Sequence, residues 1–228
     1  HGRLCARGQA SLHGLYDPDR IPQPLIKEGT GWNKTSWEDA EARLVAGLQQ
    51  NAGRTVFLTH YFTGTLDRLI DEFCAAMRIE RIRFDTFGHE PVRAAYRSLF
   101  GVDAVPTHDF SAADTVVTFG ADFLETWVSP VDYAHGWVQS HAYNQGRRGK
   151  LIAVSPHQSL TDMNADEWIN IRPGTEHLVA LGMAKLIADQ SGGGGAAAAT
   201  LSGINPASVA QLAGISPDTL RRAATDFA

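Results

Sequence analysis

Apolar positions along the chain switch between two periods, and the switches divide it into strands and helices. Up to about residue 35 neither period holds, and an irregular opening is expected. Ser36 then starts a helix, with Asp39 at capping-box spacing and Trp37, Ala40, Leu44 and Leu48 on one face; Gly53 ends it. Thr55–Thr59 is a short apolar strand. Thr65–Arg78 is a helix with Leu66, Leu69, Ile70, Phe73 and Met77 facing inward. Ile82–Asp85 is the next strand and Val92–Leu99 the next helix. Asp114–Gly120 carries a continuous apolar stretch, as a strand covered on both faces does. Val131–Gln145 is helical, Leu151–Ser155 and Trp168–Ile171 are strands, and Pro173-Gly174-Thr175-Glu176 opens a helix to about Asp189. Its apolar positions are Leu178, Leu181, Ala184, Leu186 and Ile187.

Strands alternating with helices predict an α/β fold: a mostly parallel Rossmann-like sheet with helices on both faces. Ser191–Ala199 holds four consecutive glycines and reads as a linker. Pro206–Gly214 and Pro217–Phe227 then form a small helical segment. The expected organisation is an entry segment with the first helix (1–52), an α/β core (53–189), a Gly/Ala linker (190–200) and helices (201–228). The helix at Leu220–Ala228 meets no cap or breaker, and His1 follows no initiator Met or signal pattern. The chain is therefore expected to be a fragment of a longer polypeptide.

Composition narrows the function classes. With 228 residues, 43% hydrophobic and 20% charged, the chain has globular composition, and its net charge of −5 argues against nucleic acid as the main partner. No apolar run is long enough to span a bilayer. Cys5 and Cys74 are the only cysteines, without CxxC or CxxCH, so these residues alone cannot supply a zinc site, a full iron–sulfur ligand set or a c-type haem attachment. A Cys5–Cys74 disulfide is open to an oxidising compartment, whereas the apolar helical setting of Cys74 favours a buried, inert thiol. Nucleophilic catalysis has little support, because Gly-x-Ser-x-Gly and HExxH are both absent and the nine histidines are scattered. GxGxxG and Walker A are absent too.

Three turns remain at strand carboxyl ends: Gly120-Ala121-Asp122, Ser155-Pro156-His157-Gln158-Ser159 and Arg172-Pro173-Gly174-Thr175. In open α/β sheets such turns line the crevice where nucleotides bind, and a helix opening at Gly174 offers unpaired amides and a positive dipole end. The same residues also make efficient turns and caps without any ligand. Spacing does not separate the two readings.

Residues 2–27 (GRLCARGQASLHGLYDPDRIPQPLIK) resemble the opening of the molybdopterin oxidoreductase superfamily, in which a cluster-ligand Cys precedes a basic residue and Gly, then Tyr-x-Pro-x-Arg and Pro-Leu. TSWEDAEARL (35–44), ADTVVTFGADFLETWVSP (113–130) and the stretch 151–187 resemble later segments of the family, two of them pterin-dinucleotide segments. The version here is most similar to the molybdopterin-like half of the large iron–sulfur subunit of alternative complex III, a quinol-oxidising membrane complex. The resemblance makes Cys5 the family's cluster-ligand position, unused here because its three companions are not among these residues. Arg7 stands where many members carry Lys, and His157 where many carry Arg. The stretch Phe84–Tyr96, where members ligate molybdenum through Cys, Ser, selenocysteine or Asp, has no Cys or Ser; Asp85 and His89 remain as ligand candidates.

The resemblance implies a non-catalytic, cofactor-free scaffold with vestigial turns at Gly120, Ala121, Ser155, Pro156, Ser159, Pro173, Gly174 and Thr175. Asp122, Glu125, Asp166 and Glu176 are expected to crowd those turns with charge that opposes a pyrophosphate. Implied partners are a ferredoxin-like half of the same subunit carrying [4Fe–4S] and [3Fe–4S] clusters, multihaem c-type cytochromes and quinol-binding membrane subunits on the periplasmic face. Trp127, Tyr133, Trp137 and Tyr143 are candidates for an exposed aromatic interface, with ordinary core packing accounting equally well for about half of them. The alternative is part of the catalytic subunit of a molybdenum bis-guanine-dinucleotide reductase of the polysulfide or tetrathionate type.

Overall fold

Ser36 caps the first long helix through its side chain, which accepts the Asp39 amide at 3.0 Å, as its spacing predicts. The computed structural model describes residues 4–62, 64–86, 89–143, 148–192, 195 and 198–228. Arg3, the residues beyond Tyr143 in the helix expected to reach Gln145, Phe87 and Gly88 in the metal-ligand stretch, and much of the Gly/Ala stretch lie outside them. In chain order the elements are α1 (Ala6–Ala10), a 3-10 turn (Ser11–Leu15), β1 (Leu25–Glu28), β2 (Gly31–Lys34), α2 (Trp37–Gln50), β3 (Val56–Thr59), α3 (Thr65–Met77), β4 (Glu80–Arg83) and α4 (Glu90–Phe100). There follow β5 (Thr115–Phe119), α5 (Pro130–His141), β6 (Lys150–Ser155), α6 (Leu160–Met163), β7 (Glu167–Asn170), α7 (Glu176–Gln190), α8 (Ala198–Leu201), α9 (Pro206–Ala213) and α10 (Pro217–Phe227). The α/β class and the C-terminal helices are as expected, with the parallel strands divided between two separate sheets.

Two compact units divide the chain, one of Ala6–Val92 and one built chiefly on Arg93–Ala228. In the first, β3 and β4 pair in parallel, with Val56 opposite Glu80 and Thr59 opposite Arg83. The strand expected at Ile82–Asp85 begins two residues earlier. The two residues missed are charged, Glu80 and Arg81; Arg81 and Arg83 project onto α3, where Arg81 binds Asp67 at 2.6 Å and Asp71 at 2.7 Å, and Arg83 binds Asp71 at 2.8 Å. The opening is less irregular than expected, because Leu25–Glu28 and Gly31–Lys34 form an antiparallel hairpin turned at Gly29, whose φ of 61° suits glycine.

The inward face expected for α3 is only partly correct. Ile70 is buried and Met77 packs beside it, but Leu66, Leu69 and Phe73 are exposed and Cys74 takes the interior position. One helix on one side of a two-stranded sheet buries one stripe, and 70, 74 and 77 form it. Trp37 and Leu44 on α2 are likewise exposed.

The second unit has a parallel sheet in the order β5-β6-β7, with Val116 opposite Leu151 and Ile152 opposite Glu167. Alternation sends successive side chains to opposite faces. Val116 and Leu151 pack with Phe123, Tyr133 and Trp137 on the α5 side; Ile152, Val154 and Ile169 pack with Val179 and Met183 of α7 and with Val209 and Leu220 of α9 and α10. Gly182 brings the helices together: a Cβ there would meet Val209 Cγ1 at 2.9 Å and Leu220 Cδ2 at 3.1 Å.

The aromatic interface expected at residues 127–143 is corrected by this packing. Tyr133 and Trp137 are core residues, Trp127 stacks on His108 with ring centroids 5.5 Å apart, and only Tyr143 is exposed. Phe110 and Phe123 complete the cluster into which these rings turn.

Candidate functional site

Because β5, β6 and β7 run in parallel, the turns that follow them leave the same edge of the sheet. Gly120 follows β5 with φ 67°, and a Cβ on it would lie 3.8 Å from Glu176 Cγ at the start of α7. Gly174 follows β7 with φ 80°. The structure thus sets Gly120 and Ala121 beside Ser155 and Ser159 around one small cavity of about 10 Å³, also lined by Thr118, Asp122, His157 and Asp162. Pro156, Pro173, Gly174 and Thr175 are not among its lining residues.

Two carboxylates hold this edge together. Asp122 Oδ1 accepts the Thr161 hydroxyl at 2.6 Å and the Thr161 amide at 3.3 Å, and Thr161 Oγ1 in turn accepts the Leu124 amide at 3.1 Å. Asp162 is buried; its Oδ1 accepts from Ser155 Oγ at 2.7 Å, and its Oδ2 accepts the Ser159 amide at 2.8 Å and hydroxyl at 2.5 Å. Ser155 Oγ also accepts Trp168 Nε1 at 3.0 Å. Ser159 and Asp162 form the capping box of α6. Charge-assisted bonds of this kind are stronger than neutral ones and fix the turn geometry.

The charge expected around the turns is distributed differently. Asp122 lines the cavity and Glu176 reaches Gly120, but Glu125 is exposed and outside the lining. Asp166 precedes β7 and so stands at the opposite edge, where it pairs with His141 at 3.2 Å and Arg148 at 2.9 Å and accepts the Leu151 amide at 2.9 Å. Burial pushes its carboxyl up, but the Leu151 amide, His141 and Arg148 outweigh that and hold it below its ordinary value. Asp162 and Thr161 were missed as members of the turn cluster. For Asp162 the signal was present: Ser159-x-x-Asp162 repeats the spacing of Ser36-x-x-Asp39.

A pyrophosphate-bridged pterin dinucleotide does not fit between these residues. Its phosphates would need amide donors and a cation. The Ser159 and Thr161 amides already serve Asp162 and Asp122, and among the described residues no lysine or arginine lines the cavity. Arg172 gives Nη1 to the carbonyls of Gln211 and Leu212, at 3.2 Å each, at the end of α9. The α7 N-terminus has no side-chain cap, since Thr175 Oγ1 donates to the Arg172 carbonyl, and the first-turn residue there is the anionic Glu176.

The remaining candidates lie elsewhere. Cys5 is exposed and Cys74 is buried, and neither is in a disulfide. In the first unit, His89 Nε2 lies 3.8 Å from Asp85, and its buried Nδ1 has no partner among the described residues. Among the described residues no group of three or more His, Cys, Asp or Glu could hold a metal ion, and no helix is long and apolar enough to cross a membrane.

No family model matches the chain. It is 29% identical, over 82% of its length and 27% of the relative, to the menaquinone reductase molybdopterin-binding-like subunit of Nitratidesulfovibrio vulgaris. It is 25% identical to the assimilatory nitrate reductase catalytic subunit of Bacillus subtilis, over 83% of this chain and 27% of the relative. Acetylene hydratase from Pelobacter acetylenicus has the same fold, with a TM-score of 0.75 and 18% identity over 98% of this chain and 33% of that one. The chain spans about a quarter of the length of these curated relatives. Its homologues are molybdopterin-binding oxidoreductase subunits, and with their fold and their sequence pattern the chain fits the molybdopterin oxidoreductase superfamily.

Proposed function

We propose that this chain is a cofactor-free scaffold within a quinol-oxidising membrane complex of the alternative complex III type, part of the molybdopterin-like half of its iron–sulfur subunit. The observation that carries this reading is the self-satisfied turn cluster, where Asp122 and Asp162 take the amides that a dinucleotide phosphate would need. The menaquinone reductase relative, whose subunit is described as molybdopterin-binding-like, agrees with a quinone-linked complex. In this reading the [4Fe–4S] and [3Fe–4S] clusters sit in a ferredoxin-like half outside these residues, Cys5 binds no cluster, and the neighbours are multihaem cytochromes and quinol-binding subunits at the periplasmic face. These residues give the complex shape and docking surfaces, and electrons pass through its other parts.

Metal analysis of the purified complex tests the proposal. Iron at cluster stoichiometry, with molybdenum and tungsten far below one atom per complex, is the expected result. Molybdenum near one atom per complex, together with guanine nucleotide released on acid treatment, would overturn it in favour of a molybdenum reductase.

A further inference from the structure

Charge does not balance at the turn cluster. Asp162 is 5% exposed, Asp122 lines the same cavity, and Glu176 reaches Gly120 from α7. None of the three forms an ion pair among the described residues. His157, which also lines the cavity, is exposed and pairs with neither aspartate. Buried charges in proteins are paired or coordinate a metal. A second observation is independent of charge. Thr118 is 7% exposed and lines the cavity from β5, yet its hydroxyl has no hydrogen-bond partner among the described residues. Buried polar groups are ordinarily satisfied. Asp122 Oδ2 has spare capacity as well, since the bond it accepts from Thr126 Oγ1 is 3.3 Å long.

We infer that this cavity binds one dehydrated alkali cation of potassium size, held by Thr118 Oγ1 and Asp122 Oδ2 in the field of Asp162. The inference rests on the reading above, in which the turns hold no dinucleotide. A volume of about 10 Å³ is room for one particle the size of a water, which a potassium ion resembles. A water there satisfies Thr118 but leaves both carboxylates uncompensated. Divalent ions fit less well. Magnesium keeps several waters, for which the cavity has no room. Calcium takes about six to eight oxygens, whereas Asp162 already gives both of its oxygens to Ser155 and Ser159. The negative field that opposes a pyrophosphate attracts a cation.

Thr118→Val tests this in the purified complex, because it removes the hydroxyl, keeps the side-chain shape and breaks no bond within the chain. Hydrogen–deuterium exchange of peptides covering 155–163 is followed in potassium chloride and in choline chloride of equal ionic strength. Slowing that saturates with potassium is expected, reaching roughly tenfold at about ten times the half-saturating concentration, since opening must release the ion. Thr118→Val should lose most of that slowing and Thr118→Ser should keep it. Rubidium-soaked crystals of the unmodified complex need no variant: an anomalous peak inside the cavity is expected, and its absence would overturn the inference. Equal exchange in potassium and choline would do the same, since it means a water only. So would a full potassium response in Thr118→Val, or slowing by calcium chloride and not by potassium. Each of these leaves the scaffold reading standing, whereas molybdenum and guanine nucleotide in the complex would remove both.

Discussion

Replacing Asp162 by alanine removes the centre of the turn cluster, and the hydrogen-bond inventory sets the cost. The Ser155 hydroxyl has one proton and two acceptors at 2.7 Å, Asp162 Oδ1 and the His157 carbonyl, so it keeps a partner after the substitution. The Ser159 amide and hydroxyl lose theirs, and the α6 capping box goes with them. Bonds to a charged acceptor contribute about 1.5–3 kcal/mol each. Relief of the buried carboxylate's desolvation offsets part of two such losses. The net expectation is about 2–3 kcal/mol. Asp162→Asn should recover most of this. Its carbonyl can accept the Ser159 amide while Nδ2 donates to Ser155 Oγ, which still donates to His157, so about 1 kcal/mol is lost with the charge. Urea denaturation reads both: with a slope near ~2 kcal/mol/M, the alanine midpoint falls by roughly 1–1.5 M and the asparagine midpoint by about 0.5 M. An alanine variant within about 0.5 kcal/mol of the parent would refute the reasoning, as would an asparagine variant no better than alanine.

Three further outcomes follow from the packing and charges. Gly182→Leu should destabilise by about 3 kcal/mol or more, because even a Cβ there closes to 2.9 Å on Val209; Gly182→Ala should cost less, since helix propensity returns about 1 kcal/mol, and thermal melts rank the two. Phe123→Ala, emptying a fully buried position between Phe110 and Trp137, should cost about 3–5 kcal/mol in the same melts. Asp166 has a folded-state pKa below its ordinary 3.8, so its contribution is complete above that value and is lost as pH falls below it; Asp166→Asn should lower stability at neutral pH and flatten the acid limb of the stability–pH curve, and an unchanged limb would show that His141 and Arg148 do not hold the charge.

The sequence determined what depends on local period and local capping. β5 and β6 were legible because continuous apolar residues mark strands buried on both faces, and α2, α7, α9 and α10 because stripes and caps lie within one or two turns of each other. The three turns were legible as strand ends. What needed the tertiary structure were the relations between segments distant in the chain. Glu80 and Arg81 carry no apolar signal, and the acids of α3 that Arg81 binds lie 10 and 14 residues away, which is why β4 was placed two residues late. Tyr133 and Trp137 read as an interface until the cluster with Phe123 is known, and Asp166 read as a member of the turn cluster although it lies across the sheet. Above all, the pairing of Asp122 with Thr161 and of Asp162 with Ser155 could not be foreseen from spacing alone. Strand order decides which loops meet, and only their meeting determines whether an amide faces a ligand or a carboxylate of its own chain.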